Sequence, residues 1–415
     1  MNKKILLFVI TFSLITGYLT AAKSVISKED IIGRHAVKIK KAIEKGADIN
    51  ARNSFGETPL MLAATTNAID IARLLIEKGA DVNSVNSLGM TTLGIAALYN
   101  SKDVAELLIE KGVNVNAKDL FDKTPLTIAA NNNSMDVAKL LIKRGADITI
   151  KDSYGNMLLT TVAGQNYSDF AELLIENGAD VNGRNSFGET PLMMAAAKNA
   201  TDTVKLLLKK NAKINAKDNY GLTPLMWAAG KKSFDAAKIL IENGANLNQK
   251  NKDGDTALLI ALKNNFPEIA GILIENGADI NIKTRDGKNA LMIAASKNNS
   301  FYVVKSLIEK GLDVNSKDIY GSTALMEATV SNSSTTVKLL IEKGANVNAK
   351  TIRGKTALIL AAAKKDFPEI VKILLENGAD TTAKDSDGYT ALSKATAYKN
   401  KEIITLLEKH THAKP

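Results

Sequence analysis

With 415 residues, 45% of them hydrophobic and 24% charged, the chain carries enough apolar side chain to bury a core, which excludes a disordered polypeptide. Its formal charge of +10 is compatible with nucleic acid or an anionic envelope surface as partner. The absence of cysteine excludes disulfides, thiolate metal sites, a cysteine nucleophile and a lipidated cysteine.

The first segment, residues 1–22, reads as a signal peptide. Lys3 and Lys4 precede an apolar run from Ile5 to Leu19, and Thr20-Ala21-Ala22 offers small residues for cleavage after Ala22. The run of about 15 apolar residues is interrupted by Thr11, Ser13 and Gly17 and falls short of the roughly 20 that a spanning helix needs. The mature chain is therefore expected to be soluble, with no membrane span after cleavage. A short Lys-Lys start without a retention signal is bacterial in style, so the expected location is exported, periplasmic or secreted.

Residues 23–52 read as a partial unit that caps the N-terminal end of an array, with Lys38 to Glu44 on its outer helix. The array itself, 53–409, declares itself by two interlocked ladders. Gly56, Gly89, Asp122, Gly155, Gly188, Gly221, Gly254, Gly287, Gly321, Gly354 and Gly388 recur at steps of 33, with two steps of 34. Gly46, Gly79, Gly112, Gly145, Gly178, Asn211, Gly244, Gly277, Gly311, Gly344 and Gly378 repeat the spacing. Eleven units follow: 53–85, 86–118, 119–151, 152–184, 185–217, 218–250, 251–283, 284–317, 318–350, 351–384 and 385–409. Residues 410–415 remain as a tail.

Within each unit the local signals are consistent. Thr58-Pro59, Thr124-Pro125, Thr190-Pro191 and Thr223-Pro224 set a hydroxyl N-cap before a proline at the first helical position, while Thr256-Ala257 and Thr356-Ala357 keep only the cap. This first helix, helix A, should end at Asn67, Asn100, Asn133, Asn166, Asn199, Asn265 and Asn332, because asparagine tolerates the left-handed backbone that closes a helix. Helix B follows with an apolar stripe such as Ile71, Ala72, Leu74 and Leu75, and ends at Gly79. The stretch Asp81-Val82-Asn83 should be extended and lead into a β-hairpin finger. One such unit cannot bury its stripe alone, so neighbours must stack.

Gly-Glu-Thr-Pro-Leu-Met-Leu-Ala-Ala at 56–64, with Gly-Ala-Asp-Val-Asn at 79–83, resembles the ankyrin repeat over almost the whole mature chain. The resemblance implies an all-α repeat solenoid of stacked helix-turn-helix units with β-hairpin fingers. It also implies binding through finger tips and the concave face of the A helices. The family's histidine after Thr-Pro-Leu is missing, with Met61, Thr127, Met193, Met226, Met292 and Met326 in its place, so its bonds between loops should be lost and each unit should be weaker. The unit from Asp152 departs furthest, with Met157-Leu158 for Thr-Pro, and is where a bend or soft joint is expected. The two longer units each hold one extra residue, near Asn298 to Phe301 and near Lys364 to Phe367. Asn53–Leu60 and Asn185–Leu192 are identical, which points to block duplication.

The two residues before each glycine make a finger tip, and the nearer of them gives a series along the chain. Phe55, Leu88, Phe121, Tyr154, Phe187 and Tyr220 are consecutive apolar or aromatic tips, Tyr320 is a later one, and the others are charged. Such side chains either form a binding ladder, since interfaces are enriched in aromatics, or pack against the next finger. Trp227, the single tryptophan, sits on helix A beside the Tyr220 tip, where it either fills the core or faces the groove.

Catalysis is not expected. His35, His410 and His412 are the only histidines, the latter two on an apparently frayed tail, and none is spaced with carboxylates as a metal site requires. There is no phosphate loop or serine elbow, and the recurring Asp and Asn belong to the fingers. No cofactor or metal is implied. Lysines are spread over the repeats, often next to glutamate as in Glu77-Lys78, Glu110-Lys111, Glu309-Lys310 and Glu342-Lys343, which reads as a solvated surface and makes nucleic acid an unlikely partner. The expected role is a monomeric, exported scaffold for a protein partner; the alternative is a structural envelope component held electrostatically to anionic lipid or wall polymer.

Overall fold

Helix pairs, repeated along the chain, make up nearly all of the regular structure. The computed structural model describes residues 26–297 and 300–412, with side chains to 410, and contains 24 helices and no sheet among them. The expected signal peptide, residues 1–22, and the end of the tail lie outside the described residues, as does part of the first expected insertion, at 298 and 299.

The repeat 53–85 shows how the local rules act. Asn53 Oδ1 accepts the backbone N–H groups of Phe55 and Glu57, both at 2.9 Å, which folds residues 53–57 into a tight turn. Gly56 completes it at φ 72°. Thr58 Oγ1 accepts the Met61 N–H at 3.3 Å, Pro59 occupies the first helical turn, and helix A runs Pro59–Thr65. Asn67, at φ 50°, turns the chain into helix B, Ile69–Glu77, and Gly79 at φ 93° leads out of it. Leu60, Met61, Ala63, Ala64, Ile71, Ala72 and Leu75 are fully buried between the helices and their neighbours. By the usual worth of buried apolar side chains, each large one adds about 1.5–3 kcal/mol of stabilisation.

The same closure recurs at Asn100, Asn133, Asn166, Asn199, Asn265 and Asn332, all at φ 54–61°. Lys232 and Lys399 take this conformation where no asparagine is present. Asp122 and Asn211, the two stand-ins in the glycine ladders, are left-handed as well, at φ 58° and 64°.

The finger departs from expectation. Asp81-Val82-Asn83 is a turn, not an extended segment, because Asp81 Oδ1 accepts the Asn83 N–H at 2.9 Å. The strand pairing of the expected β-hairpin shrinks to isolated bridges, Val85 with Thr91, Lys151 with Met157 and Lys283 with Asn289. Side-chain carboxylates and amides satisfy the finger backbone, so no ladder of strand bonds is needed.

The chain forms two compact units, one of residues up to 162 with 169–180, the other of 163–168 with residues from 181 onward. The division falls within repeat 152–184. In the first unit the A helices Pro59–Thr65, Thr92–Leu98 and Pro125–Asn132 pack side by side, as do the B helices Ile69–Glu77, Lys102–Glu110 and Met135–Lys143. Its N-terminal cap is a complete helix pair, Lys28–Ile32 and Ala36–Glu44. In the second unit the A helices stack from Pro191–Ala197 to Ala391–Ala397, and the B helices from Thr201–Lys209 to Lys401–His412. That last helix runs through His410 to His412, so the tail expected from residue 410 begins as a continuation of helix B.

Candidate partner-binding surface

The tips are held by the opening residue of each repeat. The Phe121 N–H donates to Asp119 Oδ1 at 2.8 Å, Tyr154 to Asp152 at 2.9 Å, Phe187 to Asn185 at 2.9 Å and Tyr220 to Asp218 at 2.8 Å. Phe55, Leu88 and Tyr320 are held in the same way by Asn53, Asn86 and Asp318. Successive fingers are then joined through backbone: Ser87 N–H to Phe55 C=O at 2.9 Å and Leu120 to Leu88 at 3.0 Å in the first unit, Asn219 to Phe187 at 2.9 Å and Lys252 to Tyr220 at 3.0 Å in the second. Fingers approach so closely that a Cβ on Gly188 would lie 3.0 Å from the Asn219 backbone N, a tight contact at a φ of 77° that already favours glycine.

On this fixed backbone Phe121, Tyr154 and Tyr220 expose 61–63% of their surface, whereas Phe55 and Phe187 expose 40–41%. The tips therefore differ in degree, with Phe55, Leu88 and Phe187 the more covered and Phe121, Tyr154, Tyr220 and Tyr320 the more exposed. The sequence reading took only the residue next to glycine and missed its neighbour. Leu120, Ile319 and Ile352 are exposed by 74%, 58% and 72%, more than most of the tips chosen. Reading both turn residues for apolar character would have found them.

Trp227 is neither core nor freely exposed. It is half-buried, its Nε1 donates to Asp218 Oδ2 at 3.0 Å, and the Lys231 ammonium lies 5.8 Å from the ring centroid. Core packing is thus the wrong account of this side chain, because the indole N–H needs a partner when buried and Asp218, at the start of the same repeat, supplies it. Ion pairs occupy the corresponding A-helix face further on. Lys263 Nζ lies 2.6 Å from Asp255, Lys288 Nζ 2.6 Å from Glu327, and Lys394 Nζ 3.6 Å from Asp385 and 3.8 Å over the Tyr389 ring. Burial pushes the Asp385 carboxyl up, but the Tyr389 N–H, the Lys394 ammonium and the Asp387 N–H outweigh it and hold its pKa below the ordinary value.

The asparagines that end helix A also do something that the sequence reading missed. Asn67 Nδ2 donates to Asp103 at 2.8 Å while its Oδ1 accepts the Val104 N–H at 3.1 Å, both in the next repeat. Asn100 bridges in this way to Asp136 and Val137, Asn166 to Asp202 and Thr203, and Asn199 to Asp235 and Ala236. A second row links the fingers, where Asn50, Asn116, Asn182, Asn215, Asn248, Asn315 and Asn348 each accept a backbone N–H about one repeat further on. The expectation that losing the family histidine removes bonds between loops is therefore too simple. Asparagine carries polar linkage between repeats, and Met193 and Met226 turn inward so that their sulfurs accept the N-cap N–H of Thr190 and Thr223.

No helix among the described residues is long and apolar enough to cross a membrane. The family model of ankyrin repeats, three copies long, matches residues 34–119, 86–152, 126–218, 158–251, 217–284, 258–351 and 350–415. No curated protein matches the chain.

Proposed function

Because the chain belongs to the ankyrin-repeat family and is by that membership a protein–protein interaction scaffold, we propose that it works outside the cytoplasm and binds its partner through finger tips and the A-helix face of its units. One observation carries the binding mode: Phe121, Tyr154 and Tyr220 hold large apolar side chains in water on backbone pinned by carboxylate hydrogen bonds. Apolar surface so held costs little conformational entropy when a partner covers it, because the loop that presents it is already ordered. Export rests on Lys3, Lys4, the apolar run to Leu19 and the small residues before position 23. In this reading the chain is a binding protein and not an enzyme, and its positive charge serves solubility more than adhesion.

The test is affinity capture from the exported fraction, with the mature chain compared against Phe121→Ala/Tyr154→Ala in the first unit and Phe187→Ala/Tyr220→Ala in the second. A protein held by the parent and lost from either variant at both 0.05 and about 0.3 M salt supports the tips; the Debye length falls to well under 10 Å over that range. Equal recovery by parent and variants refutes them, and recovery that vanishes with salt for all three chains favours adhesion to an anionic surface.

A further inference from the structure

Three repeats of the second unit open with a buried aspartate. Asp218, Asp318 and Asp385 are exposed by only 6–7%. In each, Oδ1 accepts the N–H groups two and four residues on: Tyr220 and Leu222, Tyr320 and Ser322, Asp387 and Tyr389. That shared turn aims the other oxygen, Oδ2, at the residue nine positions later on helix A. Asp218 Oδ2 meets an indole donor there, Trp227 Nε1 at 3.0 Å. Asp385 Oδ2 makes no hydrogen bond but has an ammonium 3.6 Å away, Lys394 Nζ.

In repeat 318–350 the corresponding residue is Glu327, which has no proton to give, and Asp318 Oδ2 is buried without a hydrogen-bond partner. Glu327 is itself held at 2.6 Å by Lys288 of the preceding repeat. Two carboxylates and one ammonium leave this spot one negative charge in excess, on a chain that is basic as a whole. A buried carboxylate oxygen with no donor is costly, and Asp318 lacks both the hydrogen bond that Asp218 has and the ammonium that stands near Asp385.

We infer that repeat 318–350 carries a docking subsite for an arginine side chain of a protein partner, which rests on the scaffold reading above. Asp318 Oδ2 is closed to solvent in this state, so the guanidinium reaches it by displacing the Lys288 ammonium, one-third exposed, from Glu327 and then donates to both carboxylates. Its planar, forked donors suit two acceptors on different residues better than a second ammonium would. Ile319, Tyr320 and Ile352 follow in the same turn and the next, exposed on adjoining fingers that are joined by the Ile352 N–H to Tyr320 C=O bond at 3.0 Å. They form an apolar rim for the aliphatic stem of the arginine and for a hydrophobic residue beside it.

The experiment titrates a fluorescently labelled Gly-Leu-Arg-Leu-Gly peptide, and its citrulline counterpart, onto the full chain and reads anisotropy. Citrulline keeps the shape and removes the charge. The parent should bind the arginine peptide at least tenfold more tightly. Asp318→Asn should abolish that preference, while Lys139→Ala, at an exposed helix-B position in the other unit, should keep it. Asparagine opens repeats 185–217 and 251–283 with the same two backbone bonds, so the variant is expected to fold. The substitution removes a buried carboxylate oxygen that lacks a donor, so the variant's melting temperature should equal or exceed that of the parent. Equal binding of the two peptides by the parent, a preference that survives Asp318→Asn, or a melting temperature lowered by that substitution would each overturn the subsite. Loss of the subsite with tip-dependent capture intact refutes only this inference, and the reverse refutes only the tip reading.

Discussion

Substituting Asn199 tests whether asparagine joins the repeats. Its backbone sits at φ 54°, its Nδ2 donates to Asp235 at 2.9 Å, and its Oδ1 accepts the Ala236 N–H at 2.8 Å. Ala236 is fully buried in the first turn of the helix Phe234–Glu242, where backbone N–H groups have no acceptor within the helix. Asn199→Gly keeps the left-handed turn but strands that N–H, at about 1–3 kcal/mol, and removes an exposed bond to Asp235 worth about 0.5 kcal/mol. Asn199→Ala loses the same bonds and adds roughly 1–2 kcal/mol for a left-handed residue with a Cβ. The only tryptophan, Trp227, lies in the repeat that Asn199 ties down, so its fluorescence during urea unfolding reports on that repeat. With a slope of about 2 kcal/mol per molar urea, Asn199→Gly should lower the midpoint by about 1 M, and Asn199→Ala by clearly more. A glycine midpoint within about 0.2 M of the parent would show that the asparagine is only a turn residue, and coincident alanine and glycine midpoints would refute the backbone contribution.

Two glycines with similar dihedrals should respond differently to alanine. Gly244, at φ 81° with nothing near its absent Cβ, should lose only the roughly 1–2 kcal/mol of left-handed strain in thermal unfolding. Gly188→Ala also sets a Cβ 3.0 Å from the Asn219 N that donates to Phe187 C=O, so it should cost more; equal losses would sink the argument from close finger approach. The Asp380 pKa is lowered by the Thr382 hydroxyl, which donates to Oδ1 at 2.7 Å, and by the Thr382 N–H. A depressed carboxylate stabilises the fold above its unfolded pKa of about 3.9 and loses that contribution as pH falls through the folded value. Thr382→Val should therefore raise the Asp380 pKa in a carboxylate NMR titration, with a stability deficit present at neutral pH and absent in strong acid. An unchanged titration would refute the hydroxyl's role.

The helices were legible because their determinants are local. Thr58 caps, Pro59 starts, Asn67 closes and Gly79 ends a pair of helices within a single repeat, and the recurrence of those types at a period of 33 averages out exceptions such as Met157-Leu158. The tips were half legible. Proximity to glycine located Phe121 and Tyr154, but the exposure of Leu120 and Ile352 depends on where the next finger lies. The finger itself was misread, since an alternating Asp-Val-Asn reads as strand until the Asp81 side chain is seen to take the Asn83 N–H.

The repeat, its helix boundaries and the need to stack were thus determined by the sequence alone, because period, capping and an apolar stripe that one unit cannot bury are all written in residues a few positions apart. Only the tertiary structure decided what Asn199, Trp227 and Asp318 do. The partner lies 37 residues ahead of Asn199 and nine residues back from Trp227, and Asp318 Oδ2 has none; whether a buried polar atom finds a donor or acceptor depends on how neighbouring turns and helices converge in space.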